Sequence, residues 1–157
     1  MGRRRWRSGP DGRPVEIFTY ADGEADACRR VLGTVLRNII DRGRVPPSGI
    51  VVLTPRSARS SWLMRPDGAP VEAWPYPLMP EYGPEGAVLP PPTKGNEVRV
   101  ATIHRYKGLE APVIVLAEMD GRVSEGELGP LLYVGATRAR AHLVVLCSDE
   151  LASRIGG

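Results

Sequence analysis

Thr102, His104, Lys107, Gly108 and Glu110 fall within nine consecutive positions, flanked by the apolar residues Val98 and Val100 and by the run Val113–Leu116. A solvated connection has no need of a hydroxyl, an imidazole, an ammonium, a glycine and a carboxylate in so short a space. Lys107 beside Gly108 can bring a cation and open backbone N–H groups to a phosphate. Glu110 stays ionised in a cationic pocket, where it can accept from a ribose hydroxyl or order a metal-bound water. A second group spans Leu131 to Arg140. On a helix, Leu131, Val134 and Arg138 share one face, so an apolar stripe ends in a guanidinium. A half-buried arginine seeks an anion, and its forked donors suit a phosphate. Arg138 can also serve simply as a cation at a helix C-terminus, an effect worth about 0.3–1 kcal/mol.

These residues need elements to hold them. Val15–Thr19 alternates weakly and predicts a strand. Asp22 predicts an N-cap for a helix whose apolar positions run from Ala25 to Ile40, stopped by Gly43 and Pro46-Pro47. Ile50–Leu53 predicts a strand buried on both faces, and residues 57–64 a short helix. More than half of the 16 prolines fall between Pro66 and Pro92, so the stretch at about 65–96 reads as an irregular insertion. Strands follow at Val98–Ile103, Val113–Leu116 and Leu143–Leu146, with a helix from Glu127 to Arg140 and Pro130 tolerated near its start. Apolar strands alternating with helices predict an α/β domain with a mainly parallel sheet. Ligands of such sheets sit beyond the carboxyl ends of the strands.

At 157 residues, 42% hydrophobic and 25% charged, the chain is long enough for one core that hides about 70% of its extended surface. No run approaches the roughly 18 apolar residues of a membrane span, so no membrane partner is expected. Cys28 and Cys147 stand far apart on apolar faces, which predicts reduced core residues, no metal site, and a cytoplasmic location. The net charge is +3, but residues 1–14 alone carry five arginines against Asp11, leaving the other 143 residues at −1. This basic arm, residues 1–14, is expected to be disordered and to add at most a salt-dependent affinity for nucleic acid. Only Lys94 and Lys107 are lysines among the 21 cations. His142 reads as structural. Trp62, Trp74 and Tyr76 can stack on bases or pack the Pro-rich stretch.

Thr102-x-His104-x-x-Lys107-Gly108-Leu109-Glu110, followed by Pro112–Leu116, resembles motif V of the UvrD/Rep-type helicases of superfamily one. Leu132-Tyr133-Val134-Gly135-Ala136-Thr137-Arg138-Ala139 resembles their motif VI, and Ile50–Ser57 the strand and turn of their second motor domain. Order and spacing agree over about residues 15–155, so residues 15–157 are identified as a UvrD-like helicase C-terminal domain of RecA-like fold. The resemblance implies that Arg138 is an arginine finger for ATP held mainly by a partner domain. It also implies that Glu110 meets the ribose, that Lys107, Gly108 and Tyr133 shape the nucleotide cleft, and that Thr102 and His104 touch the DNA backbone. Arg56 and Arg59 follow the Ile50–Leu53 strand and read either as backbone contacts or as a solvated face.

The sequence contains no Gly-x-x-x-x-Gly-Lys-Ser/Thr loop, no apolar strand ending in an Asp-Glu pair, and no counterpart of the family's tyrosine-arginine segment. ATP and Mg²⁺ are therefore expected only together with a P-loop-containing N-terminal half, supplied in trans or lost. The isolated chain is not expected to hydrolyse ATP. Two functions stand at this point. One is the C-terminal motor domain of an ATP-dependent DNA helicase acting on single-stranded or duplex DNA. The other is an orphan RecA-like module that binds nucleic acid or a protein without turnover.

Overall fold

The computed structural model describes residues 3–6, 15–57, 59–65, 67, 69, 71–73, 76–80, 95–106 and 110–155. Among these residues eight strands form one sheet: β1 (Arg3–Trp6), β2 (Val15–Tyr20), β3 (Ile50–Thr54), β4 (Val71–Ala73), β5 (Tyr76–Pro80), β6 (Val98–Thr102), β7 (Ala111–Met119) and β8 (Ala139–Ser148). The α-helices among the described residues are α1 (Ala25–Arg37), α2 (Glu125–Arg138) and α3 (Asp149–Ile155). Sheet order is β1-β2-β8-β7-β3-β6-β5-β4. The six strands from β2 to β5 run parallel, and the two edge strands pair antiparallel. This is the α/β architecture of a RecA-like domain.

The sheet is buried on both faces because its central strands are apolar at nearly every position. On one face Phe18, Val52, Val100, Val115 and Val144 pack under Cys28, Leu32, Val35 and Leu36 of α1. On the other, Ile17, Leu53, Ile114, Leu116 and Val145 meet Leu131 of α2 and Leu151 of α3. Alternate residues of one strand thus serve two separate cores. Gly135 lies against this second face. A Cβ there would stand 3.3 Å from Leu116 and 3.4 Å from Leu143, so a small residue lets α2 approach the sheet.

Several expectations need correction. Glu24, and not Asp22, precedes α1, and no side chain caps that helix. Asp22 instead accepts the Gly121 N–H at 3.3 Å, tying the turn after β2 to the turn after β7. Beyond Arg37 the chain widens into a π-turn, Asn38–Arg42, which closes with the Gly43 N–H on the Asn38 carbonyl at 3.0 Å. Only glycine fits at position 43, because a Cβ would lie 2.6 Å from the Ile39 carbonyl oxygen. Among the described residues of 57–64 there are turns and no helix, and Ser60, Ser61 and Trp62 bond across to Glu118 and Arg122. The insertion at 65–96 is not wholly irregular: β4 and β5 extend the sheet, with β5 parallel to β6. Proline survives there at the sheet margin, where fewer ladder donors are needed. Helix α2 begins at Glu125 and stops at Arg138, after which β8 starts at once. In the arm expected to be disordered, Arg3–Trp6 pairs with Val15–Phe18 as an edge strand. Residues 7–14 lie outside the described residues, as do 81–94 of the Pro-rich stretch.

Candidate functional site

The predicted site residues separate into two groups at opposite ends of the sheet. Thr102 closes β6 and is the Cα partner of Thr54, the last residue of β3. The Ile103 N–H donates to the Thr54 carbonyl at 2.9 Å, so the two strand ends are tied together. The chain then turns: the Arg105 N–H donates to the Thr102 carbonyl, and Tyr106 N–H to Thr102 and Ile103. Ile103 and Tyr106 are buried as anchors, whereas His104 and Arg105 are exposed. Arg56, two residues beyond β3, is half-buried on the neighbouring strand end. Thr102, His104 and Arg56 therefore share the carboxyl ends of β6 and β3.

Glu110 and Arg138 lie at the other end. Glu110 precedes β7 and Arg138 precedes β8, and their next residues, Ala111 and Ala139, are direct Cα partners. The register sets the carboxylate-bearing and guanidinium-bearing positions side by side at the amino ends of these strands. The carboxyl-end expectation fails for this pair because α2 returns antiparallel to β7 and delivers its last turn to the start of β8. Glu110 is exposed and Arg138 half-buried, with its Nε buried and lacking a hydrogen-bond partner. Leu131 is buried and Val134 half-buried on the same helix face, as the periodicity predicts. Tyr133, on another face of α2, is 71% exposed. Lys107 and Gly108 lie outside the described residues.

A third polar group was not anticipated. Glu118, Asp120 and Arg122 follow directly on the apolar stretch of β7. Between Leu116 and Met119 the β7–β8 ladder shifts register, and Glu118 takes a left-handed backbone with φ 57°. Such a conformation costs about 1–2 kcal/mol in a residue with a Cβ, so its surroundings must hold it. The fully buried Glu118 carboxylate accepts from the Ser61 hydroxyl, from the Trp62 N–H at 3.1 Å and from Arg122 Nη2 at 3.2 Å. Arg122 also clasps Asp120, through Nε at 3.0 Å and Nη2 at 2.7 Å. Its guanidinium lies 4.2 Å above the Trp62 ring, and Nη1 donates to the Ser60 carbonyl at 3.2 Å. Hydrogen bonding to Asp120 raises the Arg122 pKa further and keeps it charged. The alternating pattern Glu-x-Asp-x-Arg after an apolar strand was the available signal. Trp62 is thereby occupied by Arg122, and Tyr76 donates to Asp41 at 2.8 Å, which leaves both in packing roles. The Trp74 side chain lies outside the described residues.

Among the described residues no cluster of His, Cys, Asp and Glu could hold a metal, and no helix is long and apolar enough to cross a membrane. Cys28 and Cys147 are buried free thiols. Burial, then the nearby Glu118, pushes the Cys28 thiol up to about 12, so it is an inert core group.

No curated protein matches the chain. Residues 97–146 match the family model of the UvrD-like helicase C-terminal domain, a stretch running from the start of β6 almost to the end of β8. That stretch contains Thr102, His104, Glu110, Tyr133 and Arg138, and Arg56 lies ahead of it. This match, within a parallel α/β sheet, supports a UvrD-like helicase C-terminal domain over that stretch of the chain.

Proposed function

We propose that this domain is the second motor half of an ATP-dependent DNA helicase and completes a nucleotide site whose P-loop belongs to a partner half. ATP held there would supply the phosphoryl group whose transfer to water drives movement along DNA. Arg138 is the arginine finger, and its guanidinium neutralises charge that develops on the transferred group. Glu110 beside it accepts from the ribose. Tyr133 offers an aromatic surface on the same helix, and Lys107 and Gly108 line the cleft. Thr102, His104 and Arg56 hold the DNA backbone at the opposite strand ends. The residues fit a nucleotide shared with a partner better than one enclosed by this domain. The position of an exposed carboxylate lies beside that of a guanidinium whose buried Nε has no hydrogen-bond partner. That pairing at the starts of β7 and β8 is the observation that carries the reading.

The test is complementation. The chain alone should show no ATPase activity, and mixing it with the P-loop half of a UvrD-like helicase should restore DNA-dependent turnover. Arg138→Ala should lower that turnover by about 10³-fold or more, with the urea midpoint little changed. Turnover by the isolated chain would overturn the shared site, and a mixture indifferent to Arg138→Ala would overturn the finger. DNA binding by the chain with no complementation by any P-loop half would favour the non-catalytic binding module.

A further inference from the structure

Two arginines meet beyond the carboxyl ends of β3 and β7, and their environments differ sharply. Arg122 has its charge balanced by two buried carboxylates, and each of its guanidinium nitrogens donates to Asp120, Glu118 or Ser60. Four of its five N–H donors are thereby engaged within the domain. Arg56 has no acidic partner among the described residues. Its backbone N–H is held by Thr54 Oγ1 at 3.0 Å, and its Nη2 donates to the carbonyl of Arg122 at 3.3 Å. Its Nε is buried with no acceptor, and the terminal nitrogens of this half-buried guanidinium keep donors that a phosphate oxygen can meet. The arginine without a carboxylate is thus aimed by the backbone of the one already paired with two.

We infer that Arg122 is a positioning residue: it holds the loop after β3 so that Arg56 faces a phosphate of the DNA strand. The inference rests on the reading of Arg56 as a DNA-backbone contact. Two features of Arg122 act on the same loop. Its carbonyl fixes the Arg56 guanidinium from one side. Its side chain pins Ser60 and Trp62, downstream in the loop, by a hydrogen bond and by stacking. Asp120 and Glu118 immobilise Arg122 in turn, so the loop inherits the rigidity of β7. A loose arginine loses more side-chain freedom on binding than one already ordered. Pre-orientation therefore raises affinity without Arg122 touching DNA.

A double-mutant cycle read by fluorescence anisotropy tests this, using the full chain and a labelled oligothymidylate over a salt series. Arg56→Ala should weaken binding by about tenfold and lower the salt slope by about one phosphate contact. Arg122→Gln should produce a similar loss in the parent chain and almost none in the Arg56→Ala background, where there is no guanidinium left to orient. Arg122→Lys, which keeps the charge but loses the fork and most of the stacking, should fall between. If Arg122→Gln does not fold, the Lys variant carries the cycle alone. Equal losses in both backgrounds would mean that the uncovered carboxylates repel the strand, and would overturn the positioning role. Tight binding by Arg122→Gln beside a weakened Arg56→Ala would overturn it as well. No effect of Arg56→Ala would instead remove the DNA reading of Arg56 on which it stands.

Discussion

Replacing Glu118 separates the worth of its charge from the worth of its acceptors. Glu118→Ala leaves three donors without their partner: the Ser61 hydroxyl, the Trp62 N–H and one bond of Arg122 Nη2. Arg122 loses least, since it keeps both bonds to Asp120 and is about one-third exposed. The Ser61 hydroxyl can rotate, but its oxygen already accepts from the Leu63 N–H at 3.0 Å. Each buried orphaned donor costs about 1–3 kcal/mol, so the sum comes to about 3 kcal/mol. Glu118→Gln should cost much less. Its amide N–H can donate to the Ser61 oxygen, and its carbonyl can accept from Trp62 and Arg122, because a hydroxyl serves as donor or acceptor. The loss is then chiefly the charge assistance, about 1 kcal/mol, with the Ser61 hydrogen turned away from the site. With a urea slope of about 2 kcal/mol/M, the midpoint should fall by roughly 1.5 M for Ala and roughly 0.5 M for Gln, read by tryptophan emission and circular dichroism together. Equal shifts for the two variants would refute the rerouting through Ser61. Shifts below about 0.3 M for both would refute the claim that this network holds the left-handed turn.

Alkaline pH should also destabilise the domain. Cys28 is raised to about 12 from an ordinary 9.0, and burial raises the Tyr20 phenol as well. Both are protonated in the fold and lose protons sooner when unfolded. Their contribution is complete below pH 9 and declines above it, by about 1.4 kcal/mol per pH unit for each group released. Urea midpoints from pH 8 to 11 should show this decline, and Cys28→Ala should make it shallower. At Gly135 the contact distances predict that Ala changes stability by less than about 0.5 kcal/mol, helix propensity offsetting the tight contact. Val should cost about 1–3 kcal/mol by overpacking, and thermal melts of the two variants check this. A Val variant as stable as the parent would refute the close packing of α2 against Leu116 and Leu143.

Much of the architecture was legible along the chain. Ile50–Leu53, Val113–Leu116 and Leu143–Leu146 announce buried strands because burial on both faces demands apolar residues in succession. The stripe of Leu131, Val134 and Arg138 marks the sheet-facing side of α2 because helical spacing brings those positions together. Residue types and order within 102–110 and 131–139 sufficed to point to the helicase family, and the family match covers the same stretch. Spatial pairing was not legible. That Glu110 adjoins Arg138 follows from the β7–β8 register, which side chains on both strands set jointly and which neither segment encodes alone. The same is true of β4 and β5, whose prolines argue against strands locally but whose position beside β6 supplies a ladder. The Glu118–Arg122 network is the clearest case. Its partners Ser61 and Trp62 lie more than 50 positions away in sequence. Local chemistry is written in the order of residues, but a buried carboxylate is tolerable only where tertiary packing gathers enough donors around it.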